Sequence, residues 1–153
     1  MKAPKNDLIL MAEDDGDDRL LVRDALAECG VNDKVRFVAD GEELMDYLLR
    51  RGKYPNAADA PRPGLILLDL NMPRKDGREA LREIRAHPEL SRVPVVVFTT
   101  SRADVDVAKM YDLGANSFVA KPAAFDDLVN TIRGLVRYWF GIVELPSPKP
   151  AAL

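Results

Sequence analysis

The chain has 153 residues, enough for one domain with its own core and too few for a second of ordinary size. Apolar residues make up 47% and charged residues 31%, the balance of a folded globular domain, so disorder is expected only at the ends. A formal net charge of -3, with no basic run longer than Arg50-Arg51, speaks against nucleic-acid binding, and the lone Cys29 excludes an internal disulfide or a cysteine-rich zinc site and suits a reducing cytosol.

Residues Met1 to Asp7 lack the apolar stretch of a secretory signal, and no window approaches the roughly 18 apolar residues of a membrane span. A cytoplasmic protein with no membrane contact is therefore expected. The first apolar run, Leu8 to Ala12, has the length of a strand and is followed by a segment from Asp17 whose Leu20, Leu21, Ala25, Leu26 and Cys29 fall on one helical side, with Gly30 as its stop. Cys29 reads as a small buried hydrophobe near that helix end. Val35 to Val38 predicts a second strand, and Asp40-Gly41 opens a helix carrying Leu44, Met45, Leu48 and Leu49. Gly52 to Gly64, rich in Pro, Ala and Asn, is a longer loop than the fold needs.

Leu65 to Leu68 predicts the third strand, and Ala80, Leu81 and Ile84 mark a third helix that ends before His87-Pro88. Val93 to Phe98 predicts a fourth strand, residues 102–113 a fourth helix ended by Gly114, the weaker run Ser117 to Ala120 a fifth strand, and residues 124–139 a fifth helix. Near-continuous hydrophobicity in the first, third and fourth runs indicates strands buried on both faces of a parallel sheet. Five alternations of strand and helix predict an open α/β fold with helices on both faces, in which function sits at the carboxyl ends of the strands. The boundaries expected are one domain over residues 1–140 and a proline-containing tail over 141–153, with no separate effector domain.

The residues that follow each strand are chemically selective. Glu13-Asp14-Asp15 follow the first, Asp69 the third, Thr99 ends the fourth, and Lys121 follows the fifth. Carboxylates gathered at one rim repel one another unless a cation joins them, and a hard, oxygen-seeking ion such as Mg²⁺ meets that need while keeping positions for a phosphate. Aspartate forms an acyl phosphate when a metal neutralises the transferring phosphoryl group, and Asp69, at the end of the most apolar strand, is the expected nucleophile. Glu13 and Asp14 would hold the ion with Asp69, the backbone carbonyl of Asn71 would add a further ligand, and Lys121 and the Thr99 hydroxyl would each meet a phosphate oxygen.

Plainer readings apply nearby. Asp15, Asp17 and Asp18 read as helix N-caps, as do Thr100 and Ser101 for the fourth helix, and His87 reads as a surface residue at a helix end. A calcium loop from Asp69 to Gly77 fails, because Pro73 stands at its fifth position and no terminal Glu follows. A phosphohydrolase would need a second acid two residues after the nucleophile, where this chain has Asn71, and a flavin binder would need a phosphate-cradling loop where it has acids.

The pair Glu13-Asp14, the segment Leu67-Leu68-Asp69-Leu70-Asn71-Met72-Pro73 with Gly77, Thr99 and Lys121-Pro122 together resemble the receiver domains of two-component response regulators, the CheY-like family, over residues 7–138. Thr99 lies 30 residues beyond Asp69 and Lys121 a further 22 beyond Thr99, spacings typical of receivers. The resemblance implies a flavodoxin-like (βα)5 sheet of order 2-1-3-4-5 and a histidine kinase that donates phosphoryl to Asp69. It also implies a cis peptide before Pro122, and a switch in which Thr99 and Phe118 reorient and alter the face made by the fourth helix, fifth strand and fifth helix. Phe118 lacks the hydroxyl of the commoner Tyr, so the switch would be read by packing.

The long Gly52–Gly64 loop, the motif Asn71-Met72-Pro73-Arg74-Lys75-Asp76-Gly77, Thr99-Thr100-Ser101 and the aromatic end Tyr138-Trp139-Phe140 make the chain similar to stand-alone receivers that partner bacterial and cyanobacterial phytochrome kinases. That likeness implies a homodimer formed through the fourth and fifth helices and the C-terminal segment. Three successive aromatics cannot all face inward on a helix, so at least one is expected at the surface.

Overall fold

The structure, a computed structural model, describes residues 7–100 and 103–146. Five strands, β1 (Ile9–Ala12), β2 (Val35–Val38), β3 (Leu65–Leu68), β4 (Val95–Thr99) and β5 (Ser117–Ala120), form one parallel sheet in the order β2-β1-β3-β4-β5. Five α-helices alternate with them: α1 (Gly16–Glu28), α2 (Gly41–Leu49), α3 (Gly77–Ala86), α4 (Asp104–Asp112) and α5 (Phe125–Gly141). This is the expected architecture and strand order.

Alternation along each strand sends neighbouring side chains to opposite faces. Leu10, Ala12, Ile66, Leu68, Val95 and Val97 join α2, α3 and the Met110 side chain of α4 in one core. Ile9, Met11, Leu65, Leu67, Val96 and Phe98 join α1 and α5 in the other. The register pairs Ala12 with both Val38 and Leu68, which sets Glu13 and Asp69 side by side just past the sheet.

The helix termini explain most boundaries. Asp15 caps α1 by accepting from the Asp17 and Asp18 N–H groups, while Asp17 and Asp18 themselves occupy the first turn instead of capping it. α4 begins after Ala103, which makes no side-chain cap bond, so Thr100 is not its cap; the expected cap at Ser101 lies outside the described residues. α5 runs past Trp139 to Gly141, since no proline bars the helix before Pro146. Tyr138 is exposed whereas Trp139 and Phe140 pack against the α1/α5 core, as the turn geometry requires. The proline tail lies, from residue 147, outside the described residues.

Cys29 caps α1, half-buried, with its thiol directed at the Val129 carbonyl. His87 ends α3, and its Nδ1 accepts from the Glu89 N–H. The Gly52–Gly64 loop is tied down rather than free. Tyr47 Oη donates to the Pro61 carbonyl at 2.8 Å, Tyr54 Oη to Glu43 Oε2 at 2.6 Å, and Ala60 is buried in the core.

Candidate functional site

The carboxyl ends of β1, β3, β4 and β5 bring together the residues that the strand ends predict. Carboxylate oxygens of Glu13, Asp14 and Asp69 all lie within 4.8 Å of one another. Glu13 and Asp69 are buried and Asp14 is exposed, so the cluster has a closed floor and an open mouth. Main-chain bonds hold the floor: Glu13 N–H donates to the Val38 carbonyl at 3.0 Å and Asp69 N–H to the Ala12 carbonyl at 3.1 Å.

Lys121 enters from the end of β5. Its main-chain N–H donates to the Thr99 carbonyl at 2.8 Å, and its Nζ bonds to Glu13 Oε2, with Asp18 Oδ2 at 3.4 Å and Asp69 Oδ2 at 3.8 Å. The Lys121-Pro122 peptide is trans, contrary to the cis bond that the resemblance implies; no peptide among the described residues is cis. The ammonium reaches the cluster without it, because the β4–β5 pairing and three facing acids already direct the side chain.

Burial pushes the Glu13 carboxyl up to about 7; Lys121 and the Asp15 N–H pull against that shift and the charge of Asp69 adds to it. Burial pulls the Lys121 ammonium down, but its bond to Glu13 and the charges of Asp69, Glu13 and Asp18 outweigh that and raise it overall. A pocket that keeps its lysine charged while resisting a further negative charge on Glu13 is short of positive charge. The hard oxygen donors of Glu13, Asp14 and Asp69 fit a divalent cation that would supply it.

Thr99 is fully buried, and its Oγ1 has no hydrogen-bond partner among the described residues. Buried hydroxyls are ordinarily bonded, so this one, at the carboxyl end of β4 next to β3, keeps its donor unused. Asn71 lies two residues beyond Asp69, exposed in the β3–α3 loop. Phe118 stands apart from this group: it is half-buried on β5 and packs against the α2/α3 core.

Two contacts escaped the reading of the sequence. Asp18 was expected only at the helix start, yet it faces Lys121, a contact between residues 103 apart in the chain that helical spacing does not announce. Tyr111 of α4 accepts the Phe118 N–H at 3.2 Å, tying α4 to the outer edge of β5, and no local pattern announces such a bond.

Comparison with known proteins agrees with this geometry. Response regulator Rcp1 of a Synechocystis species is 41% identical over 140 residues, covering 92% of this chain and 93% of that protein. The phosphorylated cyanobacterial phytochrome response regulator RcpA superposes with a TM-score of 0.84 at 43% identity, covering 95% of this chain and all of that one. The Mn²⁺-bound form of Rcp1 superposes with a TM-score of 0.80 at 39% identity, covering 94% of this chain and 100% of that one. A family model for the response regulator receiver domain matches residues 9–133, a span that runs from β1 through the acid cluster and Lys121 into α5, and the chain belongs to that family.

Proposed function

We propose that the protein accepts a phosphoryl group on Asp69 from a histidine kinase and that a phytochrome-type kinase is the donor. The single observation that carries the acceptor site is the convergence of three acids, one ammonium and one orphaned buried hydroxyl on the same strand ends. An Asp69 carboxylate oxygen attacks phosphorus, the P–N bond to the kinase histidine breaks, and the imidazole leaves with the bond's electron pair. Mg²⁺, bound by Glu13, Asp14, Asp69 and the Asn71 carbonyl, would neutralise phosphoryl charge during transfer. Lys121 exchanges part of its pairing with Glu13 for a phosphoryl oxygen, and Thr99 Oγ1 donates to another.

With Thr99 drawn toward the phosphoryl group, space opens behind it for Phe118, and the change passes to α4, β5 and α5. The same residues would admit water for slow self-catalysed dephosphorylation. The similarity to Rcp1 and RcpA supports a phytochrome kinase as partner, and exposed Val105, Tyr111 and Tyr138 support self-association through α4, β5, α5 and the C-terminal segment. We assign the receiver to residues 1–140 and the tail to 141–153, and place the protein in the cytoplasm without nucleic-acid or membrane partners.

Incubation with a small phosphodonor should add one acid-stable, base-labile phosphoryl group per chain, detected by intact mass, only when Mg²⁺ is present. Asp69→Asn should abolish the added mass entirely. Label retained by that variant would move the acceptor elsewhere, and labelling by every histidine kinase alike would remove the phytochrome assignment.

A further inference from the structure

The β3–α3 loop carries Asp69 and Asn71 and is fixed at two places. At its base, the Gly77 N–H donates to the Leu70 carbonyl at 2.9 Å, and a Cβ at Gly77 would sit 2.3 Å from the Asp69 carbonyl oxygen. At its far end, the Lys75 N–H donates to the Pro73 carbonyl at 2.8 Å across Arg74, whose φ is 65°. A bond between residues two apart around a positive φ is a γ-turn of the rare, strained hand. Arginine has none of the local compensation that Gly or Asn would bring to that conformation.

What holds the turn is α2. Arg74 Nε and Nη2 both donate to Asp40 Oδ2, at 2.9 and 2.5 Å. The Asp40 side chain is only 3% exposed, and its other oxygen caps α2 by accepting from the Glu43 N–H at 2.8 Å. The next residue, Gly41, donates its N–H to the Lys75 carbonyl at 3.0 Å, so closely that a Cβ there would lie 2.3 Å from that oxygen. One buried carboxylate therefore fixes both the start of a helix and the far end of the loop. An exposed arginine paired with an exposed acid would contribute little, but here the acid is buried and the arginine sits in a strained turn.

We propose that Asp40 and Arg74 form a clamp that sets the position of the β3–α3 loop and thereby the affinity of the Glu13, Asp14 and Asp69 cluster for a divalent cation. They are positioning residues: neither touches the cluster, and both act through Asp69 and Asn71. The inference rests on the reading of that cluster as a metal site.

The test is Mn²⁺ titration of the full chain, followed by the electron paramagnetic resonance signal of the free ion, with thermal unfolding and amide exchange measured on each variant. Wild type should bind and Asp69→Asn should bind far more weakly. Arg74→Ala and Asp40→Asn should each raise the Kd about tenfold, as loss of outer partners of metal ligands does. The double variant should be little worse than either single, because both remove one interaction. Arg74→Gly, which accepts the backbone turn without strain and keeps the chain foldable, should show the same loss, and the Gly41 amide should exchange faster in all three. Wild-type Kd in Arg74→Ala and Arg74→Gly, with only the unfolding temperature lowered, would reduce the pair to a structural contact and overturn the clamp. Failure of the wild type itself to bind Mn²⁺ would overturn the metal site, and the clamp with it.

Discussion

β3 and β5 lie two strands apart in one sheet, yet every residue of β3 is buried and every residue of β5 is only half-buried. Their helices repeat the contrast. α3 buries Gly77, Ala80, Leu81 and Ile84, whereas α4 buries Met110 alone and leaves Val105 73% and Tyr111 49% exposed. Asp69, the proposed phosphoryl acceptor, thus follows a fully buried strand, while Phe118, proposed to relay the signal, stands on a half-buried one. A switch needs that division, because a geometry fixed to a few tenths of an ångström and a surface able to adopt two arrangements make opposite demands on packing.

The sharpest way to break the comparison is to truncate both strands. Ile66→Ala in β3 removes a fully buried side chain and should cost about 2–5 kcal/mol, read from denaturant midpoints. Val119→Ala in β5 removes two half-buried methyl groups and should cost about 1 kcal/mol or less. Equal losses would mean that β5 is held as firmly as the centre, and the division between fixed and movable halves would fall.

Glycine substitutions test the same contrast with opposite signs. At Gly77 an added Cβ meets the Asp69 carbonyl oxygen at 2.3 Å, a main-chain atom that cannot swing aside, so Gly77→Ala should destabilise by about 1–3 kcal/mol and disturb the site loop. At Gly134, on the outside of α5, nothing lies within 4 Å of the added atom, and Gly134→Ala should stabilise by roughly 0.5–1 kcal/mol through helix propensity. Two losses, or two gains, in thermal unfolding would contradict the packing described for these helices.

The division also marks what a sequence can reveal. Leu65 to Leu68 and Val95 to Phe98 declare themselves as buried parallel strands because continuous apolar runs need only local composition to be read, and the acids and Thr99 that follow inherit their place from strand order. β5 is a weaker run because it is less buried. What stayed hidden depends on contacts between distant segments. Helical periodicity places Asp18 on a face but does not say that Lys121 stands opposite, and composition marks residues 52–64 as a loop without showing that Tyr54 and Ala60 pack it down. The positive φ of Arg74 runs against the residue's own preference, and its side chain pairs with Asp40, 34 residues earlier.

A finer probe of the movable side is the bond from the Phe118 N–H to Tyr111 Oη. Tyr111→Phe keeps the ring and removes the acceptor, leaving an amide at the sheet edge that water can reach. The expected cost is about 0.5–1 kcal/mol. The Phe118 amide should exchange faster while those of β1 and β3 keep their protection. Faster exchange spread through the central strands would show that α4 and β5 open only together with the whole fold.

The smallest effect concerns how the Gly52–Gly64 loop is fastened to the firm side, through Glu43. Burial alone would raise the Glu43 carboxyl, but Lys53, Tyr54 and the Ala39 N–H outweigh it and hold the group below its ordinary value of 4.5. A carboxyl depressed on folding contributes stability in full above its unfolded value, and loses it as pH falls through the lower, folded one. Amide exchange of Tyr54, whose N–H donates to the Arg51 carbonyl, should therefore hold steady from pH 7 to about 5 after correction for the intrinsic rate, then rise as the solution becomes more acid. Tyr54→Phe removes one of the bonds that depress Glu43 and should move that rise to higher pH. A corrected rate independent of pH throughout, or a rise unmoved by the variant, would mean that the loop is anchored by its apolar contacts alone and that Glu43 is incidental to it.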